Sequence, residues 1–499
     1  MMMKKNIYIF FFSFYFIALF SVNLLAGELR WAADVESGAP YSFYRMDQPT
    51  QMTGFEYEIV QSLAQKLKKK PVFVQNSWDG LIMGLKSGLY DIAINGIEIT
   101  EERKKEILFS EPYYITHLSL INAVDGPQFQ DLASLVGHKV GTLTNSAAEQ
   151  LLKTQHGVDV RSYDSETLAH QDLLVGRVES LLFDEPIALY FSKPNSKLKV
   201  QEKSFGQIEY AIATTKENVI LLSQINSALQ EMKSNGELKR ILQRWSLWNK
   251  DTAVLFNDPD PNIENTSEEY ENYKSMLTHG RSWSEKLEIY QNTLPLILKS
   301  AWQTVKISIC AMIIAVFFGL VLVSLRLYGN QFFKFVVVSF VELVRGTPLL
   351  LQLFFIFYAL PSLGVQISAF WAAVIGLGLN YSVQESEIYR SGLLSIHRNQ
   401  VEAAKMLGLS SWQTFWNVQA PQAFRVCLPP LTTDFIALIK DSSLVSVITL
   451  VELTKTYSVL SATYYDYIGF AVITAIVYLL IGLPLVFLSK RLERRMVAG

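Results

Sequence analysis

Arg103 stands in the run TEERKKEI and Asp184 in the run LLFDEP. A guanidinium can make two parallel hydrogen bonds to a carboxylate, a geometry that an ammonium cannot copy. An ionised aspartate accepts from an ammonium. Read alone, Arg103 is a surface residue of a charged run, and Asp184 is an N-cap ahead of Pro186. Asp34, Glu36 and Glu98 are further carboxylates. Gathered in one pocket they would need partners, which a cationic ligand would supply. Facing solvent, they would need none.

Catalytic and metal chemistry find no such foothold. The six histidines are scattered, and no Ser-His-Asp or metal-ligand constellation stands out. The two cysteines, Cys310 and Cys427, lie in apolar segments, so no disulfide framework is available. The chain has no G-x-x-x-x-G-K-[ST] pattern, and hence no phosphate-cradling loop of that type.

A different chemistry is suggested by VEAAKMLGLSSWQTFW, residues 401–416, between two apolar segments. Val401, Ala404, Met406 and Leu407 offer an apolar face. Gly408 permits a turn that other residues resist. Ser410 or Ser411 can cap a second short helix. Trp412, Phe415 and Trp416 then share one face. Such a loop suits either lipid headgroups or a cleft in a partner.

The elements that would position these residues fall into two halves. In residues 28–248, LRWAA (29–33), PVFVQ (71–75), DIAING (91–96), HKVGTL (138–143) and ESLLFD (179–184) read as strands. Residues 56–70 and 218–245 read as helices by their three- and four-residue apolar spacing. The alternation predicts an α/β region with a mainly parallel sheet covered on both faces. Residues 249–290 turn polar and acidic and read as a linker. Beyond them, five apolar runs are long enough to cross a bilayer, near 294–324, 337–360, 369–389, 428–450 and 468–489. A hydrophobic share of 50% fits a membrane protein.

Loop charges predict the orientation. Arg326 and Lys334, then Arg390, Arg398, Lys405 and Arg425, then Lys490, Arg491, Arg494 and Arg495 fall on one side. The loops of the other side hold only Lys455. The C-terminus is therefore expected inside and residues 28–248 outside. Lys4 and Lys5 ahead of the apolar run Ile7–Ala26 agree, since they make residues 1–27 a signal sequence or anchor. Leu24 is large for the position three before a cut after Ala26, so cleaved and uncleaved forms both fit. Neither half carries a basic patch that would suit nucleic acid.

Residues 402–421, EAAKMLGLSSWQTFWNVQAP, resemble the EAA loop of ABC-importer permeases. Glu402, Ala403, Ala404, Gly408 and Pro421 match. Val418 replaces Ile, and Ala420 replaces the usual Leu. With 341–361, 386–409 and 421–448, the resemblance extends over 290–495 and points to polar-amino-acid permeases. It implies an all-α transmembrane domain (291–495) of about five helices, with cytoplasmic loop 398–425 seated on a separate ABC ATPase that carries ATP and Mg. Such permeases work in pairs, so a homodimer of this chain is expected, a heterodimer being the other arrangement.

Residues 28–248 resemble the periplasmic amino-acid-binding proteins through WDGLIMGLKSGLYDIAINGIEITEERKKEILFSEPYY (78–114), GHKVGTLTNSAAEQLL (137–152) and GRVESLLFDEP (176–186). The resemblance implies two lobes, 28–117 with 209–248 and 118–208, that close on a ligand. It assigns the ligand carboxylate to Arg103 and the ammonium to Asp184. Gly96 and Glu98 fall where backbone groups and a Ser or Thr hydroxyl meet the carboxylate; Glu98 departs from that pattern. Ser146 and the backbone of Ala147 are further donors. Trp78 aligns with an aromatic that stacks on the ligand side chain, and is equally placed to be a core residue. Asp34 lines the side-chain pocket in relatives that bind basic ligands. Together these imply an inner-membrane amino acid importer, not an enzyme, with a cationic ligand preferred. A ligand-gated channel is the alternative, since such channels use a related domain, but their pore lies between the lobe segments. A dehydratase of this fold would leave the second half idle.

Overall fold

The computed structural model describes residues 27–258, 264–278, 282–365 and 367–497. The signal sequence thus lies, Gly27 apart, outside the described residues. The N-terminal half holds two five-stranded sheets. The first contains β1 (Glu28–Ala33), β4 (Lys70–Gln75), β5 (Ile92–Ala93), β6 (Leu108–Phe109) and β12 (Ala213–Thr214), in the order β4-β1-β5-β12-β6. The second contains β7 (Tyr114–Ala123), β8 (Lys139–Leu143), β9 (Asp159–Tyr163), β10 (Ser180–Asp184) and β11 (Leu198–Tyr210), in the order β11-β7-β10-β8-β9. A small hairpin, β2 (Phe43–Tyr44) and β3 (Met52–Thr53), flanks the first. This is a two-lobed α/β fold, one sheet per lobe.

The expectation of a mainly parallel sheet is corrected. Four of the eight pairings between strands of these sheets are antiparallel. The chain leaves lobe one along β7 and returns along β11, so the two crossing strands must run in opposite senses. β7 is buried at eight of ten positions, and a strand buried on both faces shows no alternation to read.

Helix Phe55–Lys66 buries Phe55, Ile59, Val60, Leu63 and Ala64 against the first sheet, the spacing of one helical face. The helix expected over 218–245 is two helices, Val219–Ser234 and Glu237–Arg244. Gly236 between them takes a φ of 71°, a left-handed turn that glycine adopts without steric cost.

The segment read as a linker carries helices Lys250–Leu255 and Glu268–Thr278. Asn249 caps the first. Tyr270 and Tyr273 of the second pack on Tyr190. The first long apolar helix begins inside that segment. It runs Trp283–Tyr328 and is closed at its start by a capping box between Ser282 and Glu285. At 46 residues it is roughly 70 Å long, against a hydrocarbon core of about 30 Å. It therefore reaches well beyond any bilayer.

Among the described residues, two helices are long and apolar enough to cross a membrane, Trp283–Tyr328 and Tyr467–Arg491, or three counting a bent pair. That pair, Gln331–Gly346 and Leu349–Ala359, bends by 106° within the span expected near 337–360. Pro348 explains the break, since it holds Thr347 in the extended region, at φ −116° and ψ 139°. Helices Ala369–Leu394 and Ala420–Asp441 are also long but carry ionisable groups. Some of those groups find partners within the bundle: Glu387 pairs with Arg326 and Arg390, and Asp441 accepts from the Tyr381 hydroxyl at 2.7 Å.

The two halves touch through both lobes. Lys455 of helix Leu453–Tyr464 pairs with Glu36 at 2.8 Å. The Tyr464 hydroxyl donates to the Met46 carbonyl at 2.7 Å. The Tyr358 hydroxyl donates to Asn76 Oδ1 at 3.2 Å. The Tyr465 ring meets Phe191 of lobe two, with centroids 5.8 Å apart.

Candidate ligand-binding site

Arg103 lies on the single turn Glu101–Lys104, whose N-cap Thr100 accepts from the Arg103 backbone N–H. The cap holds the turn at the lobe boundary and aims the guanidinium across it. Nη1 donates to Glu98 Oε2 at 2.9 Å and to the Glu98 carbonyl at 3.0 Å. Nη2 donates to the Asn145 carbonyl of lobe two at 2.8 Å. The guanidinium also lies over the Trp78 ring, 5.4 Å from its centroid.

Glu98 joins the lobes. Its Oε1 accepts from the Ala147 N–H, at the start of helix Ala147–Thr154, at 2.9 Å. The residue is only 2% exposed. Burial pushes its carboxyl up, while Arg103 and the Ala147 N–H pull it back. Trp78 makes a third crossing, with Nε1 donating to the Thr144 carbonyl at 2.9 Å. These three contacts hold the lobes closed over a cavity of about 10 Å³, roughly the room one water needs.

Asp184 ends β10 and faces that cavity from the other lobe. It accepts from the Tyr210 hydroxyl, which is itself 3.0 Å from the Tyr41 hydroxyl. Burial and the neighbouring Glu98 carboxylate push Asp184 up to about 8. Glu166, beside it, is driven well above the carboxylate range by burial, with Asp34 and Asp184 adding to the rise. The cavity wall thus holds Glu98, Glu166 and Asp184, and Arg103 is already bonded to the first.

Of the residues singled out in the sequence, Trp78, Gly96, Glu98, Ser146 and Asp184 line the cavity. Arg103 and Ala147 reach it through Glu98. Gly96 has a φ of 61°, and a Cβ there would sit 2.8 Å from the Tyr41 ring, so a side chain is excluded. Its N–H donates to Glu56 Oε1 at 2.6 Å. Ser146 acts as a helix cap, accepting from the Glu149 N–H at 3.1 Å and donating to the Leu143 carbonyl at 2.8 Å.

The acidic trio expected from the sequence is not gathered there. Asp34 is spent on its surroundings, accepting from the N–H groups of Glu36 and Trp78 and from Gln75 Nε2. Glu36 turns to Lys455. The acid that sequence reading missed is Glu166. It lies in a stretch without motif, DSETLAH, and only the packing of lobe two brings it to the wall.

The family model described as "Bacterial extracellular solute-binding proteins, family 3" matches residues 30–247. That described as "Binding-protein-dependent transport system inner membrane component" matches 309–498. The L-cystine-binding protein TcyJ of Escherichia coli (strain K12) is 36% identical over 209 residues, 41% of this chain and 78% of that protein. The glutamine transport system permease protein GlnP of the same strain is 38% identical over 205 residues, 41% of this chain and 94% of GlnP. The arginine transport system permease protein ArtQ of Bacillus subtilis (strain 168) is 34% identical over 204 residues, 41% of this chain and 93% of ArtQ.

Proposed function

The chain belongs to the binding-protein-dependent amino acid ABC transporters, with a solute-binding domain and an inner-membrane permease domain in one polypeptide, and on that premise we propose that it captures a basic amino acid outside the cell and passes it through its own permease domain. The observation that carries this reading is the placing of Arg103 and Asp184 on opposite lobes of a closed interface, where Arg103 is bonded to Glu98 and the cavity wall holds Glu98, Glu166 and Asp184. A guanidinium on one side and a carboxylate on the other suit the two ends of an amino acid. The excess of buried carboxylates favours a ligand with a second positive charge.

The driving force comes from a separate cytosolic ABC ATPase, which holds ATP and Mg. Loop 398–425 is the seat for it, and its form supports that role. Met406 and Leu407 are 90% and 83% exposed, and Trp412 and Trp416 stand out beside them. Exposed apolar groups clustered like this mark a protein or membrane contact, and the match to the EAA pattern favours the protein. The loop then faces the cytoplasm, as does the C-terminus. Two copies of the chain form the pathway with two ATPase subunits.

Reconstitution with an ATPase partner in proteoliposomes tests the reading. ATP-dependent uptake of labelled arginine or lysine, exceeding that of glutamate, is the expected result. Uptake that ignores ATP, or that favours glutamate, would overturn it.

A further inference from the structure

The donors that would receive a ligand carboxylate are already in use. Arg103 Nη1 and the Ala147 N–H, one from each lobe, both bond the Glu98 side chain, at 2.9 Å each. Arg103 Nη2 is held by the Asn145 carbonyl. The chain's own carboxylate thus occupies the place, and an entering carboxylate would meet both filled donors and a buried like charge. The charged groups that remain on the wall are acidic. Asp184 and Glu166 are 7% and 3% exposed, and neither is paired with a cation among the described residues. Tyr41 supplies aromatic surface beside them, suited to a cation, while the Trp78 ring already carries the Arg103 guanidinium.

We propose that the cleft accepts a second class of ligand, aliphatic dications that lack a carboxylate, with Glu98 left in place as the internal counter-carboxylate of Arg103. The charges then balance: one positive end each for Asp184 and Glu166, and Glu98 for Arg103. The lobes must part to admit either class, but an amino acid must also displace Glu98 from Arg103, whereas a diamine or a decarboxylated basic amino acid leaves the Arg103–Glu98 bond within lobe one intact. Glu98 thereby sets the choice between the two classes. The inference rests on the lobe interface being the ligand site.

The test uses the full chain in lipid nanodiscs, titrated with arginine and with agmatine, its decarboxylated counterpart. The wild type should prefer agmatine by about tenfold or more. Glu98→Thr frees the donors and removes a negative charge, so arginine should gain and agmatine should lose, reversing the order. Glu98→Gln keeps the side-chain shape, guards against a misfolded threonine variant, and should shift the ratio the same way. A wild-type ratio that neither variant changes beyond about threefold would overturn the inference. Arginine binding without agmatine binding would overturn it too, while leaving the amino acid reading intact. If neither binds, both fall together.

Discussion

Arg103 bonds three acceptors through two nitrogens, two of them on Glu98 and one across the lobe boundary. Lysine's three donors radiate from a single nitrogen and cannot span that set. Arg103→Lys should therefore weaken ligand binding nearly as much as Arg103→Ala, by about 10- to 100-fold in a titration. Rescue by lysine would show that charge alone matters. Glu56 offers a test of the acidic interior. It is fully buried, it accepts from the Gly96 N–H and the Tyr113 hydroxyl, and burial pushes it up to about 8 from an ordinary 4.5. Its folded value lies above its unfolded one, so its contribution to stability is complete below pH 4.5 and fades as pH rises through 8. Denaturation measured across that window should show stability falling with pH, and Glu56→Gln should flatten the slope. Arg103, Glu98 and Asp184 were legible because each stands in a recognisable run. Glu166 and Tyr41 were not, because only the fold brings them to the wall, nor was Tyr210, which the fold sets behind Asp184. Asp34 stays off the cavity wall and caps its own turn, and nothing in a sequence tells such a carboxylate from a ligand-facing one.

The loop 398–419 was the most legible element. Gly408 takes a φ of 83° and Ser410 forms a capping box with Gln413, as glycine and serine in that order imply. Ala404 departs from the expected apolar face, since it is buried while Met406 and Leu407 point outward. Nothing lies within 4 Å of a Cβ built on Gly408, so Gly408→Ala meets only backbone strain, about 1–2 kcal/mol. It should loosen the turn with little effect on ligand affinity. Trp412→Ala removes an exposed ring that meets Trp416 edge to face, with centroids 5.5 Å apart. It should lower ligand-stimulated ATP hydrolysis by a reconstituted partner and leave ligand affinity unchanged. Equal ATPase stimulation would move the docking surface elsewhere. The long strands β7 and β11 and the bend at Pro348 were harder to read. The strands lack an alternating pattern, and a bend inside an apolar run leaves hydropathy unchanged.

Across the whole molecule, the binding domain meets the permease through a buried ion pair. The side chains of Lys455 and Glu36 are 6% and 21% exposed. Removing one partner of such a pair strands the other charge, at a cost of about 3–5 kcal/mol. Lys455→Ala or Glu36→Ala should thus loosen docking and slow uptake several-fold, and the exchange Glu36→Lys with Lys455→Glu should recover part of the loss. The single lysine on the loops of that side was visible in the sequence as a topology signal. Its partner, more than four hundred residues away, was not. The central claim, that the closed lobes hold an amino acid between Arg103 and Asp184, is tested most directly by calorimetric titration. The full chain in nanodiscs would be titrated with the twenty common amino acids beside the Arg103→Ala variant. Binding of arginine or lysine that the variant loses is the expected result. Binding of equal strength in both proteins, or of an acidic amino acid in preference, would contradict it.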